Sequence, residues 1–116
     1  MNNTISLEQA VAMTTLFRSQ KENILQPVHQ GKNILPRCES FDRAAFDKVL
    51  SQPGCTGIRI YFGMTKDLQV RTILVGVNSK NEDMLPMSST ADDDGIIIEE
   101  GGVCPPLCPP PSALNP

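Results

Sequence analysis

Four cysteines carry the most distinctive chemistry of this 116-residue chain, namely Cys38, Cys55, Cys104 and Cys108. Cys104 and Cys108 are separated by three residues, two of them prolines. Thiolates are preferred ligands of zinc, and a structural site holds the ion in a tetrahedron of four such ligands. A zinc site made by the four cysteines is therefore one hypothesis. Its spacing is atypical, because structural zinc sites usually contain two close pairs.

Two other interpretations of the cysteines stay open. Cys104 and Cys108 could close a small disulfide loop and act as a redox pair, because a disulfide needs Cα atoms only about 4.4–6.8 Å apart. The Cys-x-x-Cys signature of thiol oxidoreductases at a helix N-terminus does not occur here. In the structural interpretation, Cys38 and Cys55 are small buried apolar residues. The tail cysteines then only fix the tail to the domain.

Arg59, Tyr61 and Arg71 form a second candidate site, for a partner. Arg59 and Tyr61 alternate with apolar residues over 58–62, so they share one face of a predicted strand. If residue 62 pairs with about residue 69 of the next strand, Arg71 comes close to that face. Guanidinium groups bind carboxylates and other anions. The face could therefore bind an anion or a partner carboxylate. The sequence more strongly favours an ordinary solvent-facing sheet surface with long polar side chains, and an enzyme pocket on this face is a third hypothesis.

Two further patterns indicate ordinary surface residues. His29 is the only histidine, and a nucleophile–base pair with Cys38 would need an orienting group that the sequence does not supply. The acidic run 92–94 is consecutive, whereas a calcium-binding EF-hand loop alternates its ligands, so we interpret it as a solvated loop. Phosphate-loop, zinc-protease and serine-hydrolase motifs are missing, and no catalytic residue is predicted.

The composition excludes several classes of partner. The formal net charge is −3, no stretch is rich in Lys or Arg, and the aromatic residues are four Phe and one Tyr. This argues against binding to nucleic acid, which needs a basic footprint or a stacking platform. No apolar run approaches the roughly 20 residues of a membrane span. Without a recognisable secretory signal, we expect a cytoplasmic protein.

Two helices are predicted in the N-terminal half. Ser6 and Gln9 match a capping box, and apolar residues then recur at helical spacing, which predicts a helix over 6–25 that ends before Pro27. Residues 26–39 are a loop with several Pro and Gly. A second helix is predicted over 41–51, and the segment 52–54 (QPG) ends it.

Three strands follow the helices. The apolar period changes to two from Gly57, which predicts a strand to residue 63 with one buried face, a hairpin, a second strand over 69–77 and a short third strand over 95–100. The fold class is therefore α+β, with the two N-terminal helices packed on a small antiparallel three-stranded sheet. Residues 1–103 form the predicted domain. Residues 104–116 contain six prolines and form an extended tail.

Three segments resemble a set of small uncharacterised proteins common in Bacteroidota genomes. They are 54–63 (GCTGIRIYFG), 74–78 (LVGVN) and 102–108 (GVCPPLC), in this order, and the resemblance spans about residues 40–115. It implies a bacterial source and a true domain family. It implies no activity and no site residues.

The sequence thus favours a non-enzymatic interaction or structural module, which self-associates or joins a larger assembly. The motivation is the lack of catalytic motifs together with the spare edges of a small sheet and a proline-rich tail that is suited to docking. The alternative is a small zinc-binding or thiol-redox protein that uses Cys104 and Cys108.

Overall fold

The computed structural model describes residues 3–86, 96–99 and 101–116. Its class is α+β, as predicted, with two α-helices and sheets of two and four strands in this part of the chain. The chain divides into two compact units, which are residues 1–38 with 103–116 and residues 39–102. The predicted tail therefore shares a unit with the N-terminal residues.

The first unit contains helix α1, Leu7–Gln20. The capping box is present, because the Gln9 amide donates to Ser6 Oγ (3.0 Å) and the Ser6 amide donates to Gln9 Oε1 (2.9 Å). The helix ends at Gln20, five residues before its predicted end, and Pro27–His29 form a short 3₁₀-helix. None of the side chains of α1 is buried, although the sequence predicted an apolar face.

The second unit contains α2, Arg43–Leu50, and a four-stranded sheet. Strands β2, Cys55–Met64, and β3, Val70–Asn78, form the predicted antiparallel hairpin. On its other side β3 pairs with two short strands, β4, Asp83–Met84, and β5, Ile97–Ile98. Strand β5 is the core of the predicted third strand, whose ends at 95 and 100 lie outside the described residues. Strand β4 was not predicted, so the sheet has four strands instead of three.

Two strands of three residues, β1, Cys38–Ser40, and β6, Gly102–Cys104, form the second sheet. The sequence predicted a loop at 26–39 and the start of the tail near 104. Strands this short carry no visible alternation, and their pairing joins residues far apart in sequence.

Helix α2 packs on the sheet at β3. Val49 is fully buried, and Leu74 is 1% exposed. Between them Gly76 leaves room for Val49 and Gln52, because a Cβ at this position would lie 3.4 Å from Val49 Cγ1 and 3.1 Å from Gln52 Nε2. The sequence predicted that both helices pack on one sheet. In the structure α2 belongs to the unit of the four-stranded sheet, whereas α1 belongs to the other unit.

Candidate functional site

Cys104 and Cys108 are joined by a disulfide, with Cα atoms 4.4 Å apart. A turn brings them together, in which the Leu107 amide donates to the Val103 carbonyl (2.8 Å), and the peptide bonds before Pro105 and Pro106 are cis. Cys104 is fully buried, whereas Cys108 is exposed. A thiol from solvent therefore reaches the sulfur of Cys108 more easily than that of Cys104.

The other two cysteines, Cys38 and Cys55, are free thiols, and both are half-buried. Cys55 donates its thiol to the Gly57 carbonyl (3.2 Å). Within the part of the chain that the structure describes, no group of three or more His, Cys, Asp or Glu could hold a metal ion. In the disulfide form Cys104 and Cys108 are not thiolates and cannot bind zinc as such. The zinc site stays a prediction for the reduced protein.

Arg59 and Tyr61 converge on one carboxylate, that of Asp83 in β4. The Arg59 guanidinium forms an ion pair with Asp83 and also donates to the side chain of Asn81, while the Tyr61 hydroxyl donates to the second oxygen of Asp83. Asp83 is half-buried, so these hydrogen bonds replace much of its contact with water. We call Arg59, Tyr61 and Asp83 the carboxylate clamp, and it ties the edge strand β2 to β4 across β3.

The carboxylate clamp shifts the pKa values of its three members. Hydrogen bonds from Tyr61 and Arg59 lower the pKa of Asp83. The hydrogen bond to Asp83 raises the pKa of Tyr61, and it also raises that of Arg59. All three shifts favour the state in which Asp83 is ionised and Tyr61 keeps its proton. The predicted partner site therefore already has an internal carboxylate on two of its three residues.

Arg71, the third residue of that predicted site, lies on the same face of the sheet. The register pairs Phe62 with Thr72 and Gly63 with Arg71, so the expected pairing of 62 with about 69 was wrong by three residues. Arg71 donates to the Val70 carbonyl and to Gln69 Oε1, both at 3.0 Å, and these contacts are separate from the clamp.

The opposite face of β2 carries three exposed apolar side chains. Ile60 is 52% exposed, Phe62 77% and Met64 61%, and they follow one another at alternate positions. We call them the apolar stripe. The sequence predicted that this face is buried. The first strand does have a regular apolar face, but of its apolar members only Ile58 is half-buried, and the others are exposed. Alternation shows which residues share a face, not whether that face is covered.

The remaining sequence candidates take no part in these groups. His29 is half-buried at the end of the 3₁₀-helix. The acidic run 92–94 lies outside the described residues. Asp83 and Asn81 were missed because they lie about 20 residues after Arg59 and Tyr61, in a polar segment without a motif.

Comparisons with known proteins give no relative. No family model matches the chain, no curated protein matches it, and no solved structure matches it. Of the helices in the described part, none is long and apolar enough to cross a membrane.

Proposed function

We propose that this protein is a non-enzymatic interaction module that self-associates through the free edge of β2. The observation that carries the proposal is the apolar stripe on an edge strand. In the described residues β2 pairs with β3 alone, and it is ten residues long. The strand thus offers a row of backbone donors and acceptors next to exposed apolar side chains.

Edge strands of monomeric proteins are usually blocked by Lys, Pro, inward charges or bulges. Between Gly57 and Met64 the strand has no proline and a single charged residue, Arg59. The guanidinium of Arg59 is occupied by the carboxylate clamp on the opposite face from the stripe. The only irregularity of the register lies at one end, between Cys55 and Gly57. Most of this edge therefore lacks the features that prevent pairing.

The partner that best fits the free edge of β2 is the same strand of a second copy of the protein. An antiparallel pairing about a two-fold axis at Tyr61 would place Ile60 opposite Phe62 of the second copy, and the same contact would occur twice. In this register Arg59 faces a glycine, the second copy's Gly63, so no like charges oppose each other. Self-pairing thus matches apolar with apolar and avoids repulsion.

Sedimentation of wild type and a Phe62→Lys variant tests the proposal. A lysine on an edge strand opposes pairing. Edge pairing places Phe62 beside Ile60 of the second copy, and such a cross-strand pair contributes about 0.2–1 kcal/mol. Two-fold symmetry counts the pair twice, so its loss should raise the dimer dissociation constant about 2–30-fold, before the added repulsion of the two lysines. Ile24→Lys is the matched control, since Ile24 is 72% exposed and lies outside the sheet unit. A wild type that stays monomeric at all concentrations contradicts the proposal, as does a Phe62→Lys variant that associates as tightly as wild type.

A thiol-redox function is the second candidate, and the uneven burial of the disulfide favours it. A thiolate of a low-molecular-weight thiol would attack the exposed Cys108 sulfur and release Cys104 as the thiolate. A second thiol would then resolve the mixed disulfide, leaving two protein thiols and one small-molecule disulfide. The Asn115 side-chain amide lies 3.9 Å from Cys104 Sγ and can donate to the released thiolate.

Exchange with a glutathione redox buffer, followed by thiol trapping and mass spectrometry, tests this candidate. We expect the 104–108 pair to equilibrate reversibly while the Cys38 and Cys55 thiols stay unchanged. A Cys104→Ser/Cys108→Ser variant that matches wild type in a thiol–disulfide exchange assay would exclude it. The fully reduced protein also allows the zinc prediction to be checked, by metal analysis before and after chelation.

A further inference from the structure

A cavity in the first unit combines an apolar wall with two guanidinium groups. Its volume is about 250 Å³. The apolar wall is formed by Met13, Phe17, Pro36 and Leu114, and the two cations are Arg18 and Arg37. The cavity is slightly smaller than the roughly 300–1,000 Å³ of pockets for drug-sized ligands, so its occupant would be a smaller molecule.

The two arginines have donors to spare. Arg18 donates to the Leu114 carbonyl (2.6 Å) and to Thr15 Oγ1 (3.3 Å), and Arg37 donates to Asn115 Oδ1 at 3.4 Å. Each guanidinium carries five N–H donors. These neutral acceptors orient the arginines but do not neutralise their charge.

In the described part of the chain, no carboxylate forms an ion pair with either arginine. The residues that line the cavity include no Asp or Glu. The ion pairs found among residues 3–86, 96–99 and 101–116 are Arg43–Asp47 and Arg59–Asp83, and neither involves Arg18 or Arg37. Two cations beside an apolar wall attract a molecule with the opposite pattern, a negative head on an apolar body.

We propose that this cavity binds a small amphiphilic carboxylate, such as a medium-chain fatty acid. The carboxylate would accept hydrogen bonds from Arg37 and from the free donors of Arg18, which can hold both of its oxygens. The aliphatic chain would lie against Met13, Phe17 and Leu114, where the flexible methionine side chain adapts to its shape. This binding is independent of self-association through β2.

Titration of ¹⁵N-labelled full-length protein with octanoate, below its micelle concentration, tests the proposal. We expect saturable amide shifts clustered at residues 13–18, 36–37 and 114. Octanol removes the charge and octyltrimethylammonium reverses it, so each should bind at least about tenfold more weakly, the factor that one lost charged hydrogen bond supplies. Acetate removes the tail, and each methylene that is no longer buried weakens binding about fourfold, so acetate should also bind at least about tenfold more weakly.

Arg37→Gln is the decisive variant, because the Arg18 guanidinium also holds a backbone carbonyl and its loss could disturb the fold. Arg37→Gln should raise the octanoate dissociation constant about tenfold or more. Arg43→Gln is the control, since it removes an exposed arginine of α2 and should leave the constant unchanged. Absence of saturable shifts with octanoate, octanol binding as tightly as octanoate, or an Arg37→Gln constant equal to that of wild type would each overturn the proposal.

Discussion

Replacing Gly76 by alanine tests the packing of α2 on the sheet, which holds the second unit together. The added Cβ would lie 3.0 Å from Cys55 Sγ and 3.1 Å from Gln52 Nε2. Gln52 cannot move away freely, because its Nε2 donates to the Val49 carbonyl (2.9 Å) and its Oε1 accepts from the Ile96 amide (3.1 Å). The methyl group must therefore displace a buried side chain that is hydrogen-bonded at both ends.

The expected change in the free energy of unfolding is the balance of two opposing effects. Overpacking a core by one methyl group costs about 1–3 kcal/mol. Replacing glycine by alanine also restricts the unfolded chain, which stabilises by about 0.4–1 kcal/mol where the backbone conformation allows alanine. The Gly76 backbone is not in the left-handed region, so this second term applies. We expect Gly76→Ala to lower the free energy of unfolding by about 0.5–2 kcal/mol.

Gly57→Ala on the adjacent strand is the matched control. A Cβ there meets only Val77 Cγ2, at 3.4 Å, which is ordinary contact, so the variant should equal or exceed wild type in stability. Urea unfolding followed by far-UV circular dichroism, at one fixed protein concentration, measures both variants. If Gly76→Ala is as stable as Gly57→Ala, then α2 does not pack against β3 as closely as the Cβ distances at Gly76 imply.

Three further predictions concern the carboxylate clamp and Glu39. The depressed pKa of Asp83 means that its contribution to stability is present above the unfolded value near 3.9 and is lost as pH falls through the lower folded value. Asp83→Asn should therefore flatten the acid limb of a plot of unfolding free energy against pH; an unchanged limb would contradict this. The raised pKa of Tyr61 gives the opposite case, in which stability is lost as pH rises through the folded value, so Tyr61→Phe should flatten the alkaline limb. Because Tyr61→Phe also removes a hydrogen bond that lowers the pKa of Asp83, it should flatten part of the acid limb as well. Glu39 accepts from the Thr72 amide through Oε1 (2.7 Å), while its buried Oε2 has no hydrogen-bond partner. Glu39→Ala should cost about 1–3 kcal/mol by leaving that amide unpaired, whereas Glu39→Gln keeps the acceptor and should cost clearly less in the same urea assay.

Local signals explain which parts of the fold could be predicted. The capping box of α1, the breakers after α2 and the alternation in 57–63 act over a few residues, and each led to a correct helix or hairpin. Strands β1 and β6 exist because they pair with each other across a long sequence separation, and β4 is a two-residue strand that follows β3 after a tight turn. No local pattern marks strands this short.

In the candidate site, too, local patterns predicted some residues, and others depend on how the chain folds. Strand alternation placed Arg59 and Tyr61 on one face, and the hairpin brought Arg71 to that face although the register was misjudged. The sequence could not reveal Asp83, which the fold brings beside both side chains from β4. It also could not show that the apolar stripe is uncovered, because coverage depends on how far α2 extends along the sheet.

The redox state of the tail decides which cysteine hypothesis applies. Structural disulfides persist in oxidising compartments, whereas the cytoplasm keeps most thiols reduced. The Cys104–Cys108 disulfide would therefore persist in an oxidising compartment, whereas the cytoplasm expected from the sequence would favour the two thiols. Zinc binding by Cys104 and Cys108 requires a reducing environment, since only the thiolates are zinc ligands. Cys108 is exposed, so small thiols can reduce the disulfide. The tail could therefore take part in thiol–disulfide exchange and in zinc binding only in different compartments or at different times.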